Sequence, residues 1–225
     1  YFTEMSDIIN RLEDHVASAR MKTTPVIDFE KNESLKGLDY LDTIYHAIVN
    51  EHPIQLKYRS FKARSANSFI FYPYLLKEYR NRWFVYGVRG NGRILQNLAL
   101  DRIQSLEVLP QQHYIKNTFF DPNTFFDDLV GVTKNSGSVA EKVGFKVAAA
   151  EAPYIITKPI HRSQQVVERL ADGSVILEIE VVINHELERV FFGYAEGIQV
   201  LYPKTLVELM GRKLKKAAEQ YTHSK

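Results

Sequence analysis

The chain has 225 residues, 45% hydrophobic and 25% charged, proportions that suit a folded globular protein and argue against wholesale disorder. No apolar run approaches the roughly 18 residues that span a bilayer, and the opening YFTEMSDIIN has no basic segment followed by an apolar one, so no membrane partner and no secretion are expected. The absence of cysteine removes disulfides, thiolate metal sites and cysteine nucleophiles, which fits a cytoplasmic protein, and a net charge of +2 names no partner by itself.

The opening Tyr1 reads as the start of a fragment whose natural N-terminal portion is missing. Ile8, Ile9, Leu12, Val16 and Ala19 repeat at helical spacing after Ser6, a good N-cap. Pro25 and the polar run to Ser34 form a linker. Leu38, Leu41, Ile44, Tyr45 and Ile48 then repeat the helical stripe until Asn50 and Pro53 stop it. From Ile54 the period changes to two: Ile54, Leu56 and Tyr58 face one way, Gln55, Lys57 and Arg59 the other. Strands are expected next at Phe69 to Leu76, Trp83 to Val88, Ile94 to Ala99 and Ile103 to Leu109, with Gly90-Asn91-Gly92 as a turn. Short, closely spaced, aromatic-rich strands without intervening helices indicate a small bent sheet or barrel.

Asp121-Pro122 reads as a helix start, with Phe125, Phe126, Leu129 and Val130 on the apolar face, and Thr133 to Ser138 as a linker. The expected order is then strand (Val143 to Ala148), helix (Ala152 to Lys158), strand (Gln165 to Leu170), an Asp172-Gly173 turn and strand (Val175 to Val182). A helix (His185 to Ala195), a short strand (Ile198 to Leu201) and a final helix (Thr205 to Tyr221) complete it. This βαββαβ order with a terminal helix is the ferredoxin-like arrangement. Residues 1–36 are thus read as helical connector and linker, 37–132 as a barrel domain with flanking helices, and 133–225 as a ferredoxin-like extension.

Charge is segregated along the chain. Lys57 to Arg102 holds ten basic residues against two acidic ones, so the remainder carries a net negative balance. The stretch from Phe69 to Ile103, FIFYPYLLKEYRNRWFVYGVRGNGRILQNLALDRI, places a proline strand, the basic turn Arg80-Asn81-Arg82, Trp83-Phe84-Val85, a glycine turn and Leu100-Asp101-Arg102-Ile103 in sequence. In that order and spacing it resembles the WYL domain family of bacterial transcription regulators, over roughly Leu38 to Leu109. Gly193-Tyr194, Ile198 to Tyr202-Pro203 and the closing Leu- and Lys-rich helix are similar to the extension that commonly follows such a domain.

The resemblance implies an α+β protein: a small SH3/Sm-like β-barrel, then a ferredoxin-like domain, with N-terminal connector helices. It also implies a homodimer whose missing helix-turn-helix would bind duplex DNA. Two departures stand out: the family tyrosine is Phe84, and Gln96 stands where an arginine often lies on the fourth strand. The expected ligand is anionic, either single-stranded DNA or RNA or a nucleotide, held at the barrel by Tyr58, Arg59, Ser60, Tyr72, Arg80, Arg82 and Arg102.

The residues themselves are compatible with that reading, since basic side chains supply phosphate contacts and Tyr58, Tyr72, Tyr79 and Trp83 supply stacking faces. They are equally compatible with solvated hairpin faces around an aromatic core, and Arg102 with a turn ion pair beside Asp101. Gly87, Gly90 and Gly92 precede a strand where a phosphate cradle needs a helix. Seven histidines never fall at metal-ligand spacing, no nucleophile elbow or P-loop occurs, and so no metal, no cofactor and no enzymatic activity are expected. The alternatives are a constitutive RNA-binding module and a protein-interaction scaffold.

Overall fold

A computed structural model describes residues 36–90, 92 and 94–222, all within one compact unit, Lys36–Lys225. The helix expected from Ile8 to Ala19 lies outside the described residues. Helix α1 (Leu41–Val49) follows a 3-10 turn at Leu38–Tyr40. It buries Ile44 and Ala47, whereas Leu38 and Tyr45, expected on the same stripe, are exposed. Leu38 sits in the 3-10 turn, whose threefold repeat is out of phase with the helix that follows. Past the helix, Glu51 adopts a left-handed φ of 52° and the His52 N–H donates to the Ala47 carbonyl, which turns the chain into the first strand.

Strands β1 (Ile54–Tyr58), β2 (Asn67–Tyr79), β3 (Arg82–Arg89), β4 (Leu95–Ala99) and β5 (Ile103–Val108) form an antiparallel sheet in the order β4-β3-β2-β1-β5. Alternation in β1 buries Ile54 and Leu56 and exposes Lys57. The β2–β3 hairpin is longer than hydrophobicity suggests, because Tyr79 pairs with Arg82 across a two-residue turn. Arg80 and Asn81, with φ of 51° and 59°, supply the left-handed pair that such a type I′ turn requires. Pro73 has no N–H for the ladder, and the register shifts between Pro73 and Leu75. A 3-10 turn, Leu100–Arg102, joins β4 to β5, but these edge strands do not pair with each other. The sheet is therefore open where a closed barrel is expected from the sequence.

The helix expected at Asp121 is a run of turns instead. Asp121 Oδ1 accepts from the Asn123 N–H at 2.9 Å, and the Phe125 N–H reaches the Asp121 carbonyl at 2.9 Å, a single turn that does not propagate. Phe125 and Phe126 instead pack on Tyr86, with ring centroids 5.9 and 5.2 Å away, and Phe120 lies 4.8 Å from Phe125. Aromatic packing outweighs one favourable helix start, since a short helix is marginal without a face to bury.

The second sheet contains β6 (Glu141–Val147), β7 (Gln165–Arg169), β8 (Val175–Val181) and β9 (Ile198–Tyr202), all antiparallel, in the order β7-β8-β6-β9. Helices α2 (Ala152–Thr157), α3 (His185–Gly193) and α4 (Lys204–Thr222) complete the element order read from the sequence. Val143, Phe145 and Val147 on β6 and Leu177, Ile179 and Val181 on β8 meet Ile155, Leu187, Phe191 and Leu206 in one core. The apolar stripe of α4 is buried only as far as Met210, and Leu214 and Ala217 are exposed.

Residues 130–133 are gripped from both sides. The Asn184 amide donates to the carbonyls of Val130 (3.0 Å) and Thr133 (2.9 Å), while its Oδ1 caps α3 by accepting from the Leu187 N–H at 2.9 Å. From the first sheet, Asn97 Nδ2 donates to the Val132 carbonyl at 2.7 Å and the Tyr86 hydroxyl donates to the same oxygen. Gly131 has φ 93°, and a Cβ there would stand 2.5 Å from Glu186 Cγ.

Candidate anion-binding site

Cross-strand register assembles the first basic cluster. Phe84 pairs with Ala99 in the antiparallel β3–β4 ladder, and continuing that register past the strand ends brings Arg82 opposite Asp101. The Arg82 Nε lies 3.3 Å from Asp101 Oδ2. On the other side of β1, Tyr58 pairs with Ile103 after a bulge, and the Arg59 N–H donates to the Arg102 carbonyl at 3.2 Å. Arg102 Nε lies 3.8 Å from Asp101 Oδ1, close enough for charge attraction and too long for a hydrogen bond. Both atoms are buried with no hydrogen-bond partner among the described residues. One carboxylate thus stands between two guanidinium groups, leaving a local positive balance.

Tyr58 closes the cluster from beneath. It packs against the core that holds Ile54 and Leu56, and burial pushes its hydroxyl above the ordinary phenol range against the opposing pull of Arg102. The phenol therefore stays protonated at neutral pH. Phe61, in the loop after β1, is 72% exposed, and the Arg102 guanidinium lies 4.4 Å from its ring centroid. This aromatic is absent from the sequence-based site. Its signal was available, because it is the aromatic residue within the basic loop RSFKAR that follows Tyr58.

The expected site residues divide. Tyr58, Arg82 and Arg102 come together around Asp101, and Arg59 and Ser60 lie on the adjoining loop. There Arg59 is exposed, and the Ser60 carbonyl accepts from the Ala63 N–H at 3.0 Å. Tyr72 is only 6% exposed and belongs to a different cluster with Tyr74 and Val88, its ring edge-on to Tyr114. Arg80 sits at the hairpin tip beside Tyr79, in a cleft that Lys158 and Arg189 also line. Trp83 packs against the first core.

A paired surface arginine exchanges its carboxylate for a phosphate at little cost, since exposed ion pairs contribute roughly 0 to 1 kcal/mol. Arg82 is 48% exposed on its side chain and free to make that exchange, whereas Arg102, at 26%, is the more tightly held. The exposed Phe61 ring beside Arg102 supplies a stacking face. Among the described residues no group of three or more His, Asp or Glu side chains could hold a metal ion, and no helix is long and apolar enough to cross a membrane.

Comparison with known proteins finds a WYL domain over residues 39–108 and a WCX domain over residues 140–218. No curated protein matches the chain. Similar solved structures include proteasome accessory factor B/C (PafBC) of Arthrobacter aurescens, at 16% identity and a TM-score of 0.33, covering 90% of this chain and 30% of that one. Another is the crystal structure of a CRISPR Cas-related protein, at 13% identity and a TM-score of 0.49, covering 83% and 53%. The chain therefore spans 30% and 53% of the lengths of these two structures.

Proposed function

Starting from a chain that carries a WYL domain followed by a WCX domain, we propose that it is the ligand-sensing, non-enzymatic region of a dimeric, cytoplasmic, DNA-binding transcription regulator. The first domain, read as an SH3/Sm-like module, holds an anionic ligand, either single-stranded nucleic acid or a nucleotide. The second, read as ferredoxin-like, conveys occupancy to a duplex-reading domain elsewhere in the protein. Its antiparallel order β7-β8-β6-β9 supports that reading, because β6, the first of its four strands, lies inside the sheet beside the last, β9.

One observation carries the functional proposal: Arg82 and Arg102 flank a single carboxylate, Asp101, with an exposed aromatic ring on Arg102. Phosphates displace Asp101 from Arg82, Arg102 supplies the held charge, and a base stacks on Phe61. No step in this scheme makes or breaks a covalent bond, which is why the reading is a sensor and not an enzyme.

The test is fluorescence anisotropy with labelled single-stranded and duplex DNA at two salt concentrations, for the wild-type chain and for Arg82→Ala and Arg102→Ala. Each variant is expected to bind single strands about tenfold more weakly and to lose roughly 0.7 from the logarithmic salt slope. Folded variants that bind as the wild type does remove these arginines from the site. Equal affinity for duplex favours a general polyanion surface instead.

A further inference from the structure

A cleft of about 580 Å³ lies between the β2–β3 hairpin tip, the chain leaving α2, and α3. Its cations come from three separate parts of the chain: Arg80 from the turn, Lys158 from the end of α2, and Arg189 from α3. No carboxylate lines it among the described residues. Several cations around it are paired instead, Arg162 with Asp127, Lys134 with Asp128 and Lys213 with Glu188. Arg80, Lys158 and Arg189 make no ion pair among the described residues. Like charges converging on a concave, partly apolar surface raise the local positive potential and concentrate anions there.

Two tyrosines share the cleft. Tyr79 comes from β2 and Tyr194 from the residue after α3. Burial raises the Tyr79 hydroxyl above its ordinary range, with Arg80 and Arg189 drawing it down and Glu186 pushing it up, so arginines from both walls act on one phenol. Glu186 is the nearby counter-charge. It stands behind Gly131, with its Oε1 accepting from the Thr133 hydroxyl at 2.7 Å. The turn that presents Arg80 is unusual, because its first left-handed position favours Asn, Asp or Gly over a long side chain.

From this convergence we propose that the cleft is a second anion site, separate from the Arg82–Asp101–Arg102 cluster, and that it takes a nucleoside polyphosphate. The phosphates contact Arg80, Lys158 and Arg189, and the base lies against Tyr79 or Tyr194. The volume suits one small ligand and not a polymer strand. A ligand there would touch both sheet-bearing halves at once. The proposal does not depend on the single-strand reading of the other cluster, and each can fail alone.

Isothermal titration calorimetry of the whole chain with ATP and with inorganic triphosphate tests it. ATP is expected to bind at about 0.1 M salt and more tightly than triphosphate, because only ATP stacks. The Arg80→Ala/Arg189→Ala double variant is expected to weaken ATP by about a hundredfold, two charge-assisted contacts at about tenfold each, and Lys158→Ala by about tenfold. Arg82→Ala/Arg102→Ala is expected to remove any ATP taken up at the other cluster and to leave the cleft's isotherm in place. The side chains replaced in the cleft are exposed, so circular dichroism should show an intact fold. The proposal is overturned if the wild type takes up neither probe, if the double variant binds ATP as the wild type does, or if only Arg82→Ala/Arg102→Ala abolishes uptake. Equal affinity for the two probes overturns the nucleoside assignment.

Discussion

Replacing Asn184 tests whether the grip on residues 130–133 holds the two sheets in their shared unit. Asn184→Ala removes the α3 cap, which contributes about 1 kcal/mol, and leaves the Val130 and Thr133 carbonyls without the donor they meet at 3.0 and 2.9 Å. An abandoned buried carbonyl costs about 1 to 3 kcal/mol. The Val130 oxygen is buried and the Thr133 oxygen only partly so, and the whole change comes to about 4 kcal/mol, or roughly 10 °C in Tm. Asn184→Asp separates the two effects. It keeps an acceptor for the Leu187 N–H and adds favourable charge at a helix start, yet it points a carboxylate oxygen at two carbonyl oxygens. Urea titrations should find Asn184→Asp no more stable than Asn184→Ala. If Asn184→Asp equals the wild type, the amide contacts carry no stability and the grip is only geometric.

Three further outcomes follow from particular contacts. Asp101→Asn releases Arg82 and Arg102 from their shared counter-charge, so single-strand affinity at low salt should rise several-fold, to about tenfold, in the anisotropy assay; a fall means that the carboxylate acts mainly to position the arginines. In Gly144→Ala, the new Cβ would stand 2.1 Å from the Tyr202 ring, which crosses Gly144 to donate its hydroxyl to Glu178 at 2.7 Å. A loss of about 1 to 3 kcal/mol is expected by denaturant titration, and wild-type stability would show that the ring moves aside freely. His161 is buried, and its Nδ1 accepts from the Ser163 N–H at 3.2 Å, so burial and Arg162 hold its pKa below the ordinary 6.5. The folded state then binds the proton less readily than the unfolded chain. Its contribution is complete above 6.5 and is lost as pH falls from there through the lowered value. His161→Asn, which keeps an acceptor at that place, should flatten the change in urea midpoint between pH 7 and 5, and an unchanged pH profile would assign the effect to another group.

The regular elements were legible where one face is buried. Ile54 and Leu56, Phe145 and Val147, and Leu177 and Ile179 are each separated by one polar residue, so period places β1, β6 and β8. Tyr72 was not placeable on that basis. The run Phe69-Ile70-Phe71-Tyr72-Pro73-Tyr74 is apolar on both faces, with Phe71 entering one core and Tyr72 another, and an unbroken run carries no parity. The resemblance puts Arg80 and Arg82 together in one basic turn. A type I′ turn separates them, sending Arg82 into the ladder opposite Asp101 and leaving Arg80 at the tip. The start at Asp121 was a true local signal that lost to tertiary packing of Phe125 and Phe126 on Tyr86.

That same turn gives the molecule two cationic regions where linear charge counting shows one. Asp101 moderates the first, so an anion arriving there competes with an existing carboxylate and binding should be exchange-like and strongly dependent on salt. No carboxylate lines the second among the described residues, and Glu186, the counter-charge that acts on its Tyr79, lies against Gly131. An anion there meets unpaired cations on both walls, so its binding should depend more on cleft geometry than on displacing a partner. Residues 130–133 run from that cleft to the hydrogen bonds of Tyr86 and Asn97. A ligand that shifts the cleft walls must therefore strain bonds reaching into the first sheet.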